Sequence, residues 1–121
     1  MRESILIVDD DATLLELLGI FLRSKGYDIV SADNSSVAMR IIEGRRLGAL
    51  IADSLPGLDG LRVVRAFREK NPSGAVIFFT GLASDDTSEL ATTAGANVVL
   101  FKPVGLEVVD STLQRLLAKS A

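Results

Sequence analysis

The sequence contains neither cysteine nor histidine. Their absence excludes disulfide bonds, thiolate nucleophiles, zinc sites built from cysteine and histidine, and catalytic triads that need an imidazole. The ionisable side chains that remain are carboxylates, Lys, Arg and a single Tyr. Any reaction centre in this chain must therefore be built from these groups together with hydroxyls.

Long hydrophobic runs and an excess of positive charge are also missing. The apolar run at residues 5–8 is too short for a signal peptide, and no stretch reaches the roughly 20 residues that span a membrane. The formal net charge is -3, whereas a nucleic-acid backbone or an anionic membrane requires clustered Lys and Arg. We therefore expect a soluble, cytoplasmic protein that does not bind nucleic acid or membranes directly.

The chain does contain enough apolar material for one domain. Of its 121 residues, 48% are hydrophobic and 24% are charged, which suits one core and a solvated surface. Five apolar runs have the length of strands and little apolar–polar alternation, as is typical of strands buried on both faces of a parallel sheet. These runs are residues 5–8, 29–32, 49–52, 75–79 and 98–101.

Segments with helical spacing alternate with these runs. Apolar residues recur every three or four positions within residues 14–22, 37–42, 61–68 and 108–117, and more weakly within 87–94. Ser35 and Asp86 are plausible N-caps, and Asp11 borders the first helix. A (βα) unit repeated five times predicts a doubly wound α/β fold, with right-handed crossovers and helices on both faces of a parallel sheet.

Polar residues that could carry chemistry follow four of the five predicted strands, whereas Asp33 and Asn34 after the second strand can be explained as a turn. In a parallel sheet, ligands bind at the carboxyl ends of strands near the topological switch point, so we expect these residues to converge. Carboxylates that meet there repel one another, and a hard cation such as Mg²⁺, which prefers oxygen ligands, would relieve the repulsion. The residues are Asp9, Asp10 and Asp11 after the first strand, Asp53 after the third, Thr80 after the fourth and Lys102 after the fifth.

These residue types suit phosphoryl transfer. An ionised Asp53 beside Mg²⁺ would attack phosphorus as a nucleophile. Lys102 would neutralise charge on the phosphoryl oxygens, and the Thr80 hydroxyl would donate a hydrogen bond to one of them. None of these roles needs a histidine.

Five motifs in this order resemble the response-regulator receiver family of two-component signalling, the CheY-like superfamily. The motifs are ILIVDDD at 5–11, LIAD at 50–53, LPGLDG at 55–60, FTG at 79–81 and FKP at 101–103. The resemblance covers essentially the whole chain and implies one receiver domain over residues 1–121, with a flavodoxin-like (βα)5 fold and strand order 2-1-3-4-5. It also implies a cis peptide bond before Pro103.

The resemblance assigns a role to each candidate site residue. Asp9 and Asp10 would bind Mg²⁺ together with Asp53 and the backbone carbonyl of Leu55. Asp53 would be the phosphoacceptor. The hydroxyl and lysine positions of the family match Thr80 and Lys102. The phosphoryl donor would be a histidine kinase or a phosphotransfer protein, so the domain would not itself be an enzyme. An output domain or partner protein would bind the face formed by the fourth helix, fifth strand and fifth helix.

Two departures from the family pattern bear on these roles. The family has two residues between the acceptor and the apolar-Pro pair, whereas here only Ser54 stands between Asp53 and Leu55-Pro56. Alignment on the proline would put Ala52 at the acceptor position. We favour alignment on the strand, and hence Asp53, because displacing a charged residue from the site would bring no evident gain.

The second departure is Val99, which occupies a position where the family often has Tyr or Phe. There the ring turns inward as the hydroxyl residue engages the phosphate, a motion that Val99 cannot copy. Together with the short loop, it fits an alternative: a degenerate receiver that binds a partner without phosphorylation. A third possibility is a haloacid-dehalogenase-like phosphohydrolase with an aspartyl-phosphate intermediate, since Asp9-x-Asp11 fits its motif formally, although 121 residues leave little room for its lid.

Overall fold

The structure, a computed structural model, describes residues 3–81, 84 and 86–120. Strands and α-helices alternate through this part of the chain, and the predicted order is confirmed. Each predicted strand is present, with at most one additional residue. The elements are β1 (Ser4–Val8), α1 (Ala12–Ser24), β2 (Asp28–Ala32), α2 (Ser35–Gly44), β3 (Ala49–Ala52), α3 (Asp59–Lys70), β4 (Ala75–Thr80), α4 (Thr87–Ala94), β5 (Val98–Phe101) and α5 (Leu106–Ser120).

The five strands form one parallel sheet in the order β2-β1-β3-β4-β5, as predicted. The chain moves outward from β1 to β2 and then returns to place β3 on the other side of β1. This reversal leaves a crevice at the carboxyl ends of β1 and β3, the place where such sheets bind ligands. No helix in the described part of the chain combines the length and apolar character that a transmembrane span requires.

Both faces of the sheet are buried, which explains the lack of alternation in the strands. Successive residues of a strand point to opposite faces, so β3 contributes Leu50 to one core and Ile51 to the other. The first core lies beneath α2, α3 and α4 and includes Phe67 and Phe78. The second lies beneath α1 and α5 and includes Phe79.

The helix starts correct one prediction from sequence. Asn34, and not Ser35, is the N-cap of α2: its backbone is extended and its side chain accepts a hydrogen bond from Val37 N at 2.9 Å. Ser35 is already the first helical residue. Asp86 does precede α4, but its side chain makes no capping hydrogen bond with the described residues.

The loop between β3 and α3 is short and tightly folded. Leu55 and Leu58 have positive φ angles of 60° and 62°, a conformation that L-residues rarely adopt. The Leu55 side chain is buried, so the apolar area removed from water offsets this strain. Gly60 donates its N–H to Ser54 O at 2.7 Å, and a Cβ at Gly60 would overlap the Asp53 carbonyl oxygen. Only glycine therefore lets α3 start this close to the end of β3.

Candidate functional site

Strand register brings Asp9 and Asp53 together. Val8 and Ala52, the last residues of β1 and β3, are paired, so the aspartates that follow them leave the sheet side by side. Asp53 N donates to Val8 O at 2.9 Å, and Asp9 N donates to Ala32 O at 3.1 Å. These hydrogen bonds continue the ladder one residue beyond the strands and fix the backbone of both aspartates.

The two aspartates form an acidic cluster with Asp10. Each of the three residues has a carboxylate oxygen within 4.8 Å of the other two. Asp9 and Asp53 are buried, whereas Asp10 is exposed. Burial raises the pKa of the Asp9 carboxyl, and its hydrogen bond with Lys102 opposes this effect. The ionised form of Asp9 is therefore held at a free-energy cost that a bound cation would reduce.

Lys102 places its ammonium against this cluster. Its Nζ lies 2.7 Å from Asp9 Oδ2 and 3.7 Å from Asp53 Oδ1, and 5.5 Å from the centroid of the Phe79 ring. The Lys102 backbone N–H donates to Thr80 O at 2.8 Å, which extends the pairing of β4 with β5. The predicted cis peptide bond between Lys102 and Pro103 is present.

Thr80 lies fully buried at the end of β4, beside a residue that sequence reasoning missed. Its Oγ1 donates a hydrogen bond to Ser54 Oγ at 3.2 Å. Ala52 pairs with Phe78 in the sheet. Ser54 and Thr80 each lie two residues further along their strands, so they are neighbours. The sequence offered no sign of this contact, because Ser54 stood only as a spacer in a shortened motif.

Other residues that the sequence analysis named do not belong to the acidic cluster. Ala52 is buried in the core, while the side chain of Asp53 lies in the cluster. Asp11 accepts a hydrogen bond from Leu14 N at 3.1 Å as the N-cap of α1. Leu55 O accepts a hydrogen bond from Leu58 N at 3.2 Å, and its role as a metal ligand stays a prediction. Val99 is half-buried and packs against the core beneath α2–α4.

The donor set suits Mg²⁺. Three carboxylates offer hard oxygen ligands from two adjacent strand ends, and Mg²⁺ commonly takes one or two carboxylates together with water and a phosphate. Asp10 is exposed, so the cluster is open to solvent on its side. Lys102 compensates part of the negative charge of Asp9 and Asp53.

Comparison with known proteins agrees with this geometry. The family described as response regulator receiver domain matches residues 5–114. A cyclic di-GMP phosphodiesterase from Thermotoga maritima is 33% identical over 106 residues, which cover 88% of this chain and 28% of that protein. The chain spans half or less of the length of seven further curated relatives.

Two solved structures extend the comparison. A CheY-like receiver domain protein from Methanospirillum hungatei is 26% identical, with a TM-score of 0.94 over 99% of this chain and 97% of that one. A response regulator from Burkholderia pseudomallei, solved with a phosphorylated aspartic acid, a calcium ion and citrate, is 25% identical, with a TM-score of 0.87 over 98% of this chain and 70% of that one.

Fold and site together define a signalling domain of the two-component class. The chain belongs to the response regulator receiver domain family. Receiver domains of this family interact with histidine kinases and with output domains. The curated relatives of this chain include transcriptional regulatory proteins and a sensor protein.

Proposed function

We propose that Asp53 accepts a phosphoryl group in a Mg²⁺-dependent reaction, with a histidine kinase or phosphotransfer protein as the donor. The observation that carries the proposal is the meeting of three carboxylates and one ammonium at the ends of β1, β3 and β5. A related response regulator was solved with a phosphorylated aspartic acid and a calcium ion, which supports a similar use of this cluster.

In this reaction a carboxylate oxygen of Asp53 attacks phosphorus, and the bond from phosphorus to the donor breaks as the leaving group keeps the electron pair. Asp9 and Asp10 would hold Mg²⁺ with Asp53 and the Leu55 carbonyl, and the ion would supply positive charge that offsets the charge of the phosphoryl group. Lys102 would turn its ammonium from Asp9 toward those oxygens, and Thr80 would donate its hydroxyl to one of them. In this reaction the domain would itself be the phosphoacceptor, so we propose that it acts as a switch and not as an enzyme.

Phosphorylation would then change affinity for an output domain or partner protein on the face formed by α4, β5 and α5. Thr80 and Lys102 lie at the base of this face, at the ends of β4 and β5. All four residues of β5 are only partly buried, and Val108 at the start of α5 is exposed. If this proposal holds, beryllium fluoride should shift the amide NMR signals of residues 86–101. The expectation of a cytoplasmic protein without direct nucleic-acid or membrane binding stays a prediction.

Labelling by acetyl phosphate tests the central step. We expect Asp53 to take up one phosphoryl group in the presence of Mg²⁺, as measured by intact mass, and to lose it on treatment with hydroxylamine. Asp53→Asn should abolish labelling. Asp11→Asn is the matched control, because Asp11 caps α1 and is not part of the acidic cluster.

A degenerate receiver that binds its partner constitutively is the second candidate. The positive φ angles of Leu55 and Leu58 in the shortened loop favour it, since the loop carries the carbonyl proposed as a metal ligand. This candidate would be supported against the first if Asp53 is not labelled in the presence of Mg²⁺ and if partner binding is the same with and without acetyl phosphate. Multiple turnover of a phosphate ester would instead support the third possibility, a phosphohydrolase.

A further inference from the structure

We propose that Ser54 is a positioning residue for Thr80, and that its hydroxyl holds the Thr80 hydroxyl away from Asp53 in the resting protein. The inference rests on the proposed function, because it concerns a step of that reaction. Ser54 would thereby set how readily the domain passes to its phosphorylated conformation.

The first support is the direction of the hydrogen bond. Thr80 Oγ1 is the donor and Ser54 Oγ the acceptor, at 3.2 Å. A hydroxyl has one proton to donate, so Thr80 cannot give the same hydrogen bond to Ser54 and to a phosphoryl oxygen at full strength. Engagement of the phosphoryl group must therefore redirect the Thr80 proton away from Ser54 Oγ.

The second support is the side of the sheet on which each group lies. Phe78 faces the core beneath α2–α4 and Phe79 faces the opposite core, so the alternation of β4 directs Thr80 to the side of Phe78. Asp53 lies with Phe79 and Ile51 on the α1 side. The Thr80 hydroxyl thus has to turn toward the acceptor, and Ser54 stabilises the conformer that has not turned.

The third support is that Ser54 itself is held firmly. Its carbonyl accepts the Gly60 N–H at 2.7 Å, and Asp53 N–H before it is bonded to β1. The one-residue-short loop allows no slack between β3 and α3, and the side chain of Leu55 is anchored in the core. A fixed Ser54 is able to impose an orientation on Thr80, whereas a mobile one would follow it.

Binding of beryllium fluoride with Mg²⁺, followed by calorimetry, measures the effect. Ser54→Ala removes the acceptor, so we expect the affinity to rise by about two- to tenfold, the factor that corresponds to one net hydrogen bond. Ser54→Thr keeps the hydroxyl and should restore the wild-type affinity. In a Thr80→Ala background, Ser54→Ala should have no effect, because there is no hydroxyl left to position.

Several results would overturn the inference while leaving the proposed function intact. They are an unchanged or weaker affinity in Ser54→Ala, or an effect of equal size in the Thr80→Ala background. If wild-type protein binds no beryllium fluoride and Asp53 takes up no phosphoryl group, the proposed function itself fails. The positioning role is then decided on the resting protein: Thr80 χ1, measured by NMR scalar couplings, must change in Ser54→Ala and stay unchanged in Ser54→Thr.

Discussion

The ammonium of Lys102 lies closer to Asp9, at 2.7 Å, than to Asp53, at 3.7 Å. The shorter ion pair therefore joins Lys102 to a proposed metal ligand and not to the proposed phosphoacceptor. In the absence of Mg²⁺, this lysine is the positive charge that stabilises the ionised cluster. Its role in stability and its role toward a phosphoryl group are consequently in competition.

Removing this charge should destabilise the protein. We expect Lys102→Met to lower the free energy of unfolding at neutral pH by about 1–3 kcal/mol, because it leaves buried carboxylates without their counter-charge. Urea denaturation with and without Mg²⁺ measures the loss, which should shrink when Mg²⁺ is present. The same replacement should cost less in an Asp9→Asn background, and equal losses in both backgrounds would contradict the pairing.

Arg68 should be the main polar contributor to stability at the amino-terminal ends of β4 and β5, opposite the acidic cluster. Its guanidinium donates to oxygen atoms of two loops, and we expect Arg68→Met to lower the free energy of unfolding by about 2–4 kcal/mol. Arg65→Met, exposed on the same helix, is the control and should change stability by less than about 0.5 kcal/mol. Similar losses for both variants would show that the hydrogen bonds contribute little. The acceptors of Arg68 are the carbonyls of Asn71, Pro72, Gly74 and Gly95 and the side chain of Asn97.

Leu58 gives a test of backbone strain in the loop between β3 and α3. It is 41% exposed and left-handed, with φ 62° and ψ 25°, so its side chain gains little burial in return for backbone strain. Leu58→Gly relieves the strain but makes the unfolded chain more flexible, and Leu58→Ala removes the same side chain without relief. We expect the glycine variant to be more stable than the alanine variant by about 0.5–1 kcal/mol in chemical denaturation. The reverse order would place the φ angle of residue 58 outside the left-handed region.

Tyr27 gives a spectroscopic test of the packing of the loop between α1 and β2 against α5. Burial raises the pKa of its phenol, and the nearby carboxylates of Asp110 and Glu3 raise it further. The chain has one Tyr and no Trp, so the ultraviolet absorbance of phenolate reports Tyr27 alone. We expect titration above the usual pKa of about 10, and a lower pKa in Asp110→Asn.

The same shift fixes how stability depends on alkaline pH. Because the folded state keeps the Tyr27 proton more tightly than the unfolded state does, the stabilisation is complete below the unfolded-state pKa. It is lost as pH rises through the higher folded-state pKa. A stability that did not fall further above about pH 10 in the wild type than in Tyr27→Phe would contradict this assignment.

Much of the fold was predictable from the sequence. Five two-sided apolar runs, separated by segments of helical period, specify a parallel sheet covered on both faces, because strands buried on both sides need no polar alternation. Because ligands bind at the carboxyl ends of such strands, the sequence also predicts that Asp9 and Asp53 lie close together. The N-cap of α2 was assigned one residue late, since Asn34 and Ser35 have similar capping propensity and only the backbone angles separate them.

Tertiary structure decided the rest. The run that contains Ala52 and Asp53 is apolar on both faces, so its pattern left open which of the two would enter the site. The pairing of Val8 with Ala52 placed Asp53 beside Asp9. The contacts of Ser54 with Thr80 and of Lys102 with Asp9 likewise depend on strand register and on the bend of a strained loop. Sequence pattern thus determined which elements form and where their ends meet, whereas contacts at the level of single atoms were set by the packing of segments far apart in the chain.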